Sequence, residues 1–318
     1  MFKLFIEGAI FMKFINLFKN KLKKSCCFTK LRSFFCENIL NPFDEKINYK
    51  ILKNKFEYIH KYKLSLKNPE SFNEKIIWSK LFNRDELITK TQDKYLVRNF
   101  VKNKLGKKYA NEILIPLLVH SKDPSEIDFD ILPENYIIKP NNAAGRFFIV
   151  RNNKINQNKA MKVCKKWLKM PYGICAREWS YKNIEPMILI EGLLLDNNGN
   201  IPNDYKFFVF NGECRFVQVN IDRHDTGRKS VFTNDWDYLN LQYNYPSGGK
   251  IPKPENYNEM INISEKLGED FNFVRVDLYN INGNIYFGEL THYPGSGMGK
   301  FTPTKYDFEF GSYWKINN

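Results

Sequence analysis

The stretch from Phe273 to Gly297 constrains the fold of this chain most, because it places two carboxylates on one short hairpin. A run of strand-forming residues, 273–279, contains Asp277, and a second run, 285–291, contains Glu289. Carboxylates that point the same way from adjacent strands form a site of hard oxygen ligands. Such a site suits Mg²⁺, which keeps several waters and bridges phosphates, rather than a metal that prefers thiolates. The hairpin therefore predicts nucleotide chemistry.

The register of this hairpin decides whether the two acids meet, because side chains alternate between the faces of a strand. A two-residue Asn-Gly turn would pair Asp277 with Gly288 and send Glu289 to the opposite face. A three-residue loop, residues 281–283, would instead place Arg275 opposite Glu289, with Asp277 diagonal to it. We predict the three-residue loop. The alternative is a surface hairpin whose acids are solvated.

A second motif, Tyr136 to Arg146, combines a strand, a lysine and a loop of small residues. Lys139 stands at the end of the strand, where a buried ammonium needs an anionic partner such as a phosphate or a carboxylate. The loop after it, residues 142–145, allows backbone N–H groups to close over an anion. The motif lacks the glycine patterns of a P-loop and of a Rossmann turn, so it favours a different nucleotide-binding fold. A surface hairpin can have a similar sequence.

Composition narrows the class of protein. The chain has 318 residues, of which 43% are hydrophobic, enough for one large core or two moderate ones. Its six cysteines include no Cys-x-x-Cys pair and its four histidines form no metal-spaced cluster, which argues against structural zinc and a disulfide framework. This cysteine usage fits a reducing cytoplasm. The net charge of +14 is spread along the chain without a recognition-helix pattern, so we expect no nucleic-acid partner. A polyanionic substrate or an anionic membrane explains the charge equally well.

The amino-terminal residues 1–24 are apolar and basic. Charged residues at Lys3, Glu7 and Lys13 interrupt the apolar run, which disfavours a membrane-spanning helix. A secretory signal is also disfavoured, because there is no uncharged core or clear cleavage site. Two interpretations stay open. The segment is either a helix lying on an anionic membrane surface, or a helix packed on the protein, with Met12 as a possible true start.

Local signals predict several elements between residues 37 and 138. Helices joined at Asn41-Pro42 are expected within residues 37–65. A capping box, Ser71 to Glu74, begins another helix. We predict one helix from Thr89 to Leu105, ended by Gly106. Residues 113–119 are predicted to form an edge strand, because Pro116 cannot donate to a central ladder.

The order of these motifs resembles that of the ATP-grasp superfamily. The resemblance is closer to its TupA-like branch, named for teichuronopeptide biosynthesis, and covers about residues 66–310. The segments that carry the resemblance are Ser71 to Lys75, Thr91 to Tyr95, Tyr136 to Arg146, the apolar strand Pro186 to Glu191, the Asp-x-Lys strand Asp204 to Phe210, Phe273 to Tyr279, Tyr286 to Thr291 and Pro294 to Gly297.

The resemblance implies an α+β protein of the ATP-grasp fold, in which two α+β lobes clasp ATP, with a helical amino-terminal extension. The implied divisions are a basic and apolar helical extension (1–65), a helical region before the grasp (66–133), a small lobe (134–192) and a large lobe with the metal site (193–318).

The resemblance also assigns roles to particular residues. Thr291 departs from the asparagine found in many members, and its hydroxyl is a weaker metal ligand. The implied roles are phosphate binding for Lys94, Lys139 and Gly145, adenine contact at Glu191, ribose contact at Asp204, cofactor contact at Lys206, Mg²⁺ ligation by Asp277, Glu289 and Thr291, and oxyanion stabilisation by Arg275. Arg223, Arg228 and Lys229 form a polar loop that could reach the γ-phosphate or an acidic substrate.

The implied activity is ATP- and Mg²⁺-dependent ligation of a carboxylate to an amine through an acyl phosphate. The expected substrate is a sugar acid or an amino acid, free or linked to a polymer or carrier, in surface polysaccharide biosynthesis such as capsule or teichuronopeptide. The expected location is the cytoplasm, at the inner face of the membrane if residues 1–24 form the helix that lies on an anionic surface. Alternatives are a glycosyltransferase, for which Asp128-Phe129-Asp130 and Asp235-Trp236-Asp237 are literal Asp-x-Asp patterns, a non-catalytic membrane-peripheral scaffold, and a basic nucleic-acid binder.

Overall fold

The computed structural model describes residues 26–221 and 227–316. Residues 1–24, for which we predicted a helix on a membrane or on the protein, lie outside the described residues, as does Arg223. Among the helices of the described ranges, none has the length and apolar character needed to cross a membrane.

The helices lie mainly at the amino-terminal end and on the two faces of the largest sheet. They are α1 (Cys26–Phe35), α2 (Asn41–Lys46), α3 (Lys50–His60), α4 (Phe72–Phe82), α5 (Glu86–Gln92), α6 (Val97–Leu105), α7 (Lys107–Ile113), α8 (Gln157–Leu168), α9 (Tyr257–Gly268) and α10 (Lys305–Ser312).

The strands form three antiparallel sheets with the orders β1-β4-β2-β3, β11-β10-β5-β6-β7-β8 and β12-β9. The protein is therefore a mixed α+β structure, as predicted. The strands are β1 (Leu117–Ser121), β2 (Tyr136–Pro140), β3 (Phe148–Val150), β4 (Ile188–Gly192), β5 (Asp204–Phe210), β6 (Glu213–Ile221), β7 (Arg228–Thr233), β8 (Tyr238–Leu239), β9 (Gln242–Tyr243), β10 (Phe273–Ile281), β11 (Asn284–Thr291) and β12 (Phe301–Thr302).

The six-stranded sheet is covered on both faces, and this explains why all seven residues of β5 are buried. On one face, Phe207 and Val209 pack with buried residues of α6, α7 and α9. On the other face, Phe208 and Phe210 belong to an aromatic cluster that α4 and α10 complete. Side chains alternate faces along a strand, so this one segment contributes to two cores. Each fully buried phenylalanine contributes about 1.5–3 kcal/mol.

The four-stranded sheet packs on α8 around Tyr136, Ile138 and Ile190. Its outer strand β1 is an edge strand, as predicted, but it begins at Leu117, after Pro116. The small lobe was predicted to start at residue 134. Strand β1 lies before that residue but belongs to the four-stranded sheet, so the sheet includes part of the preceding region.

Two helix predictions need correction. The expected break at Asn41-Pro42 is absent, because α1 continues into α2 through a π-helical turn, Cys36–Leu40. In this turn the Asn41 backbone N–H donates to the Cys36 carbonyl. The hydrogen bond spans five residues instead of the four of an α-helix, just before the proline. The helix predicted from Thr89 to Leu105 is interrupted between α5 and α6.

The capping box is confirmed. The Ser71 hydroxyl accepts a hydrogen bond from the Glu74 backbone N–H at 3.2 Å, and the Glu74 carboxylate accepts one from the Ser71 backbone N–H at 2.9 Å. This reciprocal pair satisfies two backbone donors at the start of α4. It therefore fixes the helix end from which Phe72 enters the aromatic cluster.

We expect Phe216→Ala to lower the free energy of unfolding by about 3–5 kcal/mol, because truncation leaves a cavity in a closely packed core. Phe216 stacks on Phe208 with ring centroids 4.2 Å apart and on Phe310 at 3.8 Å. Urea denaturation measures the loss. Phe34→Ala, at a side chain that is 61% exposed, is the control and should change stability by less than about 0.5 kcal/mol. Equal losses in both variants would contradict this placement of Phe216.

Candidate functional site

A cleft between the four-stranded and six-stranded sheets brings together most of the predicted site residues. It contains charged groups from both sheets and from the turn between α5 and α6. Its lining includes Lys94, Lys139, Gly145, Glu191, Asp204, Lys206, Asp277 and Glu289. Arg275 and Thr291 adjoin the cleft through hydrogen bonds to these residues.

The hairpin places Asp277 directly opposite Glu289, but by a different register from the predicted one. The turn has two residues, since Asn282 and Gly283 take φ values of 51° and 81° and Ile281 pairs with Asn284. This is the backbone of a type I′ turn, for which Asn-Gly is the favoured sequence. The predicted three-residue loop, and with it the pairing of Arg275 with Glu289, is therefore wrong.

With a two-residue turn and a regular register, Glu289 would point to the face opposite Asp277. A β-bulge brings both side chains to the same face. The register shifts after Asp277, so that Gly288 is the extra residue between the pairs on either side. A Cβ atom at Gly288 would lie 3.0 Å from the Asp277 carbonyl oxygen and 3.1 Å from the Tyr279 ring. Glycine permits this close approach at the bulge, and the bulge turns both acids toward the cleft.

Asp277 is almost completely buried and is held by two cations. The Arg275 guanidinium donates to both of its carboxylate oxygens, at 2.6 and 2.7 Å. The Lys206 ammonium also contacts Asp277 and lies 2.7 Å from Asp204. Burial raises the pKa of Asp277, and the charges of Arg275 and Lys206 oppose this effect. The pairing offsets the cost of burying the carboxylate.

Glu289 is the accessible acid of the pair, with 34% of its side chain exposed. The Lys94 ammonium and the Arg275 guanidinium each lie 3.6 Å from it. Thr291 accepts a hydrogen bond from Arg275 at 2.9 Å and donates one to Glu289 at 3.2 Å. Burial acts to raise the pKa of Glu289, but Lys94, Arg275 and Lys206 lower it to about 2. The carboxylate is therefore charged at neutral pH.

These acids fit Mg²⁺ better than a metal that needs many protein ligands. No group of three or more histidine, cysteine or acidic side chains with metal-site geometry occurs in the described ranges. Mg²⁺ commonly takes one or two carboxylates and fills its other positions with water and phosphate oxygens. Asp277 and Glu289 match this donor set. Because Arg275 occupies both oxygens of Asp277, ligation there requires that contact to rearrange.

The four-stranded sheet contributes the other half of the cleft. The Lys139 ammonium lies 2.5 Å from one oxygen of Glu191, and Arg98 lies 3.6 Å from the other. In the following loop, Gly145 takes a φ of 69°, which favours glycine. The Arg146 guanidinium donates to the carbonyls of residues 170 and 171 at 2.9 and 3.1 Å, and so fastens this loop to the cleft wall.

The interruption between α5 and α6 positions Lys94. Asp93 accepts hydrogen bonds from the Tyr95 backbone N–H at 2.7 Å and from the Asn141 side chain at 3.1 Å. The Lys94 backbone N–H donates to the Asn141 carbonyl at 3.3 Å. Asp93 thus caps the turn, residues 94–96, that leads into α6, a signal that was present in the sequence. Arg98 also contributes to the cleft but was not predicted, because no local motif surrounds it.

A buried histidine ties the end of β11 to α5. The Thr91 hydroxyl donates to the Leu87 carbonyl at 2.7 Å, so its contact with His292 Nε2 at 2.8 Å requires the imidazole to be the donor. Burial lowers the pKa of His292 to about 3, which keeps the ring neutral. Lys94 lies three residues after Thr91, and Glu289 lies three residues before His292. The hydrogen bond between Thr91 and His292 therefore holds Lys94 and Glu289 in a fixed relation.

Other predicted candidates lie elsewhere. Neither Asp-x-Asp segment, residues 128–130 or 235–237, lines the cleft. Phe129 is buried in the core of the four-stranded sheet, and residues 235–237 form the turn between β7 and β8. Lys229 lies over the rings of Tyr243 and Tyr245, at 5.2 and 4.4 Å.

Comparisons with known proteins give one family. A family model described as TupA-like ATPgrasp matches residues 74–315. No curated protein matches the sequence.

Several solved structures share similarity with the chain. D-alanine–D-alanine ligase from Bacillus anthracis, complexed with ATP, is 15% identical over 64% of this chain and 54% of its own, with a TM-score of 0.37. The corresponding ligase from Helicobacter pylori is 16% identical over 78% of this chain and 70% of its own, with a TM-score of 0.39. L-amino acid ligase from Bacillus licheniformis is 10% identical over 71% of this chain and 47% of its own, with a TM-score of 0.39. The chain spans about half the length of the first of these.

We expect Gly288→Ala to lower the free energy of unfolding by about 1–3 kcal/mol, because the added methyl group would press on the Asp277 backbone. Gly192→Ala is the matched control, since its Cβ would meet no atom closer than 4.0 Å. That variant should change stability by less than about 0.5 kcal/mol in urea denaturation. Unchanged stability in Gly288→Ala would mean that the bulge tolerates a side chain.

We expect the free energy of unfolding to decrease as the pH is lowered, because two imidazoles are buried. Burial lowers the pKa of His292 to about 3 and that of His60 to about 4, whereas in the unfolded chain each titrates near 6.5. The unfolded state therefore binds more protons between these values, and the free energy of unfolding falls as pH drops below about 6.5. Each histidine contributes a slope of about 1.4 kcal/mol per pH unit.

Urea denaturation between pH 7.5 and 4.5 measures this slope. In His292→Gln, the slope of the free energy of unfolding against pH should be smaller by the contribution of one proton. This holds whatever the stability of the variant at pH 7.5. His120→Gln, at an exposed position, should leave the slope as in the wild type. Equal slopes in all three proteins would show that His292 is not held neutral.

Proposed function

Because the chain belongs to the TupA-like ATP-grasp family, we propose that it is an ATP- and Mg²⁺-dependent ligase that joins a carboxylate to an amine. In this assignment the four-stranded and six-stranded sheets are the cores of the two lobes that clasp ATP. The family match and the α+β architecture support this proposal.

One observation carries the proposal. Cations from three separate parts of the chain lie in or beside the cleft that contains the two acids of the hairpin. Lys94 comes from the turn between α5 and α6, Lys139 from β2, and Arg275 from β10 beside the two acids. A triphosphate accompanied by a divalent cation has the charges that complement this arrangement.

The proposed nucleotide pose uses both sheets. Lys94 and Lys139 bind phosphate oxygens, with charge-assisted contacts worth about 1.5–3 kcal/mol each. The loop that ends at Gly145 closes over the same phosphates with its backbone N–H groups. Glu191 at the end of β4 lies beside the adenine, and Asp204 at the start of β5 lies beside the ribose.

The metal site is formed by Asp277 and Glu289, with Thr291 orienting Glu289 or binding a water. Mg²⁺ held there would neutralise charge on the phosphates during transfer. Lys206 forms ion pairs with both Asp277 and Asp204 in the same cleft.

The proposed reaction has two steps. An oxygen of the substrate carboxylate attacks the γ-phosphorus, the bond to the β-phosphate oxygen breaks, and ADP leaves while an acyl phosphate forms. The amine then attacks the acyl carbon, loses a proton, and displaces inorganic phosphate to leave an amide. Arg275 stabilises the oxyanion of the second step, and Lys94 and Lys139 neutralise the charge that develops on the transferred group.

We further propose that the carboxylate belongs to a sugar acid or an amino acid used in surface polysaccharide biosynthesis. The TupA-like family assignment supports this class, and the net charge of +14 suits a polyanionic or membrane-associated acceptor. We place the protein in the cytoplasm, with residues 1–24 at the inner face of the membrane. Capsule and teichuronopeptide pathways both supply substrates of this kind.

Lys139→Ala and Glu289→Gln should each lower ATP-dependent turnover by at least about 100-fold, because Lys139 would neutralise charge on the phosphates and Glu289 would hold the Mg²⁺. ADP release in the presence of candidate acids and amines measures this. Lys122→Ala, at a lysine that is 60% exposed and ion-paired with Glu185, is the control and should retain wild-type rates. Circular dichroism checks that the variants remain folded. Wild-type turnover in either variant would refute its assigned role.

Hydroxylamine trapping tests the intermediate directly. With ATP, the correct carboxylate and no amine, hydroxylamine should convert the acyl phosphate to a hydroxamate that is absent without ATP. A panel of uronic acids and amino acids identifies the carboxylate. Turnover of nucleotide sugars without ADP release would instead favour a glycosyltransferase, and the ligase proposal would then fail.

A further inference from the structure

Two cysteines that are distant in the sequence lie next to each other outside the cleft. Cys36 begins the π-helical turn and is buried, and Cys175 lies half-buried in a short 3₁₀ helix, Ile174–Ala176. The two thiols lie close enough to influence each other's ionisation. The Cys175 sulfur also lies 3.8 Å from the Arg32 carbonyl, one helical turn before Cys36. Both contacts of Cys175 therefore place it beside the helical turn that contains Cys36.

Polar contacts on both sides of the pair hold the two segments together. The Asn41 side chain donates to the Ile174 carbonyl at 3.3 Å. The Arg177 guanidinium forms an ion pair with Asp44 at 2.8 Å and donates to the Asn41 carbonyl at 3.4 Å. Asp44 and Arg177 are mostly buried in this contact. The thiols therefore lie within a built interface rather than on two independent surface segments.

We propose that Cys36 and Cys175 are a reversible dithiol modification site, in which Cys175 reacts first with a low-molecular-weight disulfide and Cys36 resolves the adduct. The Cys175 thiolate attacks one sulfur of the disulfide R–S–S–R and releases one thiolate, which takes up the proton that Cys175 lost. Cys36 then loses its proton and attacks the Cys175 sulfur, so that the second R–SH leaves. The balance is one protein dithiol and one R–S–S–R giving one protein disulfide and two R–SH.

The surroundings of the pair set this order. The hydrogen bond from Cys36 and the positive charge of Arg32 lower the pKa of Cys175 to about 7, against the effect of its burial. The same hydrogen bond and burial raise the pKa of Cys36. Cys36 is buried and Cys175 is partly accessible, so Cys175 is the thiol that a disulfide reagent can reach. Because the thiolate is the reactive form of cysteine, the lowered pKa supports the same order, with Cys36 as the resolving thiol.

The disulfide would fasten α1 and α2 to the segment between α8 and β4. That segment includes Met170 and Pro171, whose carbonyls bind Arg146 of the loop at the cleft. Crosslinking would therefore fix one wall of the cleft. It would also constrain the unfolded chain over a long loop, which raises the thermal midpoint.

Oxidised glutathione is the probe for the site. The folded protein is incubated with it at pH 7.5, free thiols are alkylated, and peptides are analysed by mass spectrometry. We expect a Cys36–Cys175 crosslinked peptide that dithiothreitol removes, and a thermal midpoint raised by a few degrees. Absence of this peptide, while exposed Cys27 carries glutathione, would overturn the proposal.

Three variants separate the steps. Cys36→Ser should accumulate glutathione on Cys175, Cys175→Ser should leave Cys36 unmodified, and Cys27→Ser should form the crosslink as the wild type does. The alkylation rate of Cys175 should reach half its maximum near pH 7 in the wild type and at higher pH in Cys36→Ser, because the hydrogen bond is lost. Glutathione on Cys36 in Cys175→Ser would contradict the assigned order. Crosslinking that is equally abundant in urea-unfolded protein would refute a site built by the fold.

Discussion

The buried ion pair between Arg275 and Asp277 organises the rest of the site. The two side chains lie on the same face of β10, two residues apart, and their bidentate contact occupies both oxygens of Asp277. Removing one partner of such a pair leaves a buried charge uncompensated, at a cost of about 3–5 kcal/mol. The pair therefore fixes the side-chain geometry of β10 at the cleft. Thr291 and Lys206 then extend the contacts to Glu289 and Asp204.

Internal pairing explains how so many charges are accommodated in one cleft. Lys139 pairs with Glu191, and Lys94 lies near Glu289. An anion entering alone would leave acids without partners, and a metal entering alone would do the same to the lysines. A polyphosphate that enters with a divalent cation exchanges both sets of partners together, so that no buried charge is abandoned. The arrangement thus favours a metal-bound polyphosphate over either ion alone.

The sequence predicted elements with local signals better than it predicted their registers. The capping box at Ser71 and the strand from Asp204 to Phe210 needed only neighbouring residues to be identified. The hairpin register was wrong, because the bulge at Gly288 depends on close contact with Asp277 across the strand pair. The helix interruption at Asp93 had a local capping signal that was overlooked, but its contact with Asn141, 48 residues away, could not be predicted from neighbouring residues. Contacts at long range decide such details, and residue patterns do not contain them.

The cleft ends where the side chains on one face of the six-stranded sheet change from polar to aromatic. Asp277, Lys206 and Gln218 pair across three adjacent strands and form a polar row. In the next row, Arg275 pairs with Phe208, which pairs with Phe216. These two phenylalanines belong to the aromatic cluster under α4 and α10. Arg275 therefore stands at the boundary between charge and hydrocarbon, where reduced solvation strengthens its electrostatic interactions. Such a position suits a guanidinium that must stabilise a transient negative charge, because the aromatic row excludes the water that would otherwise screen it.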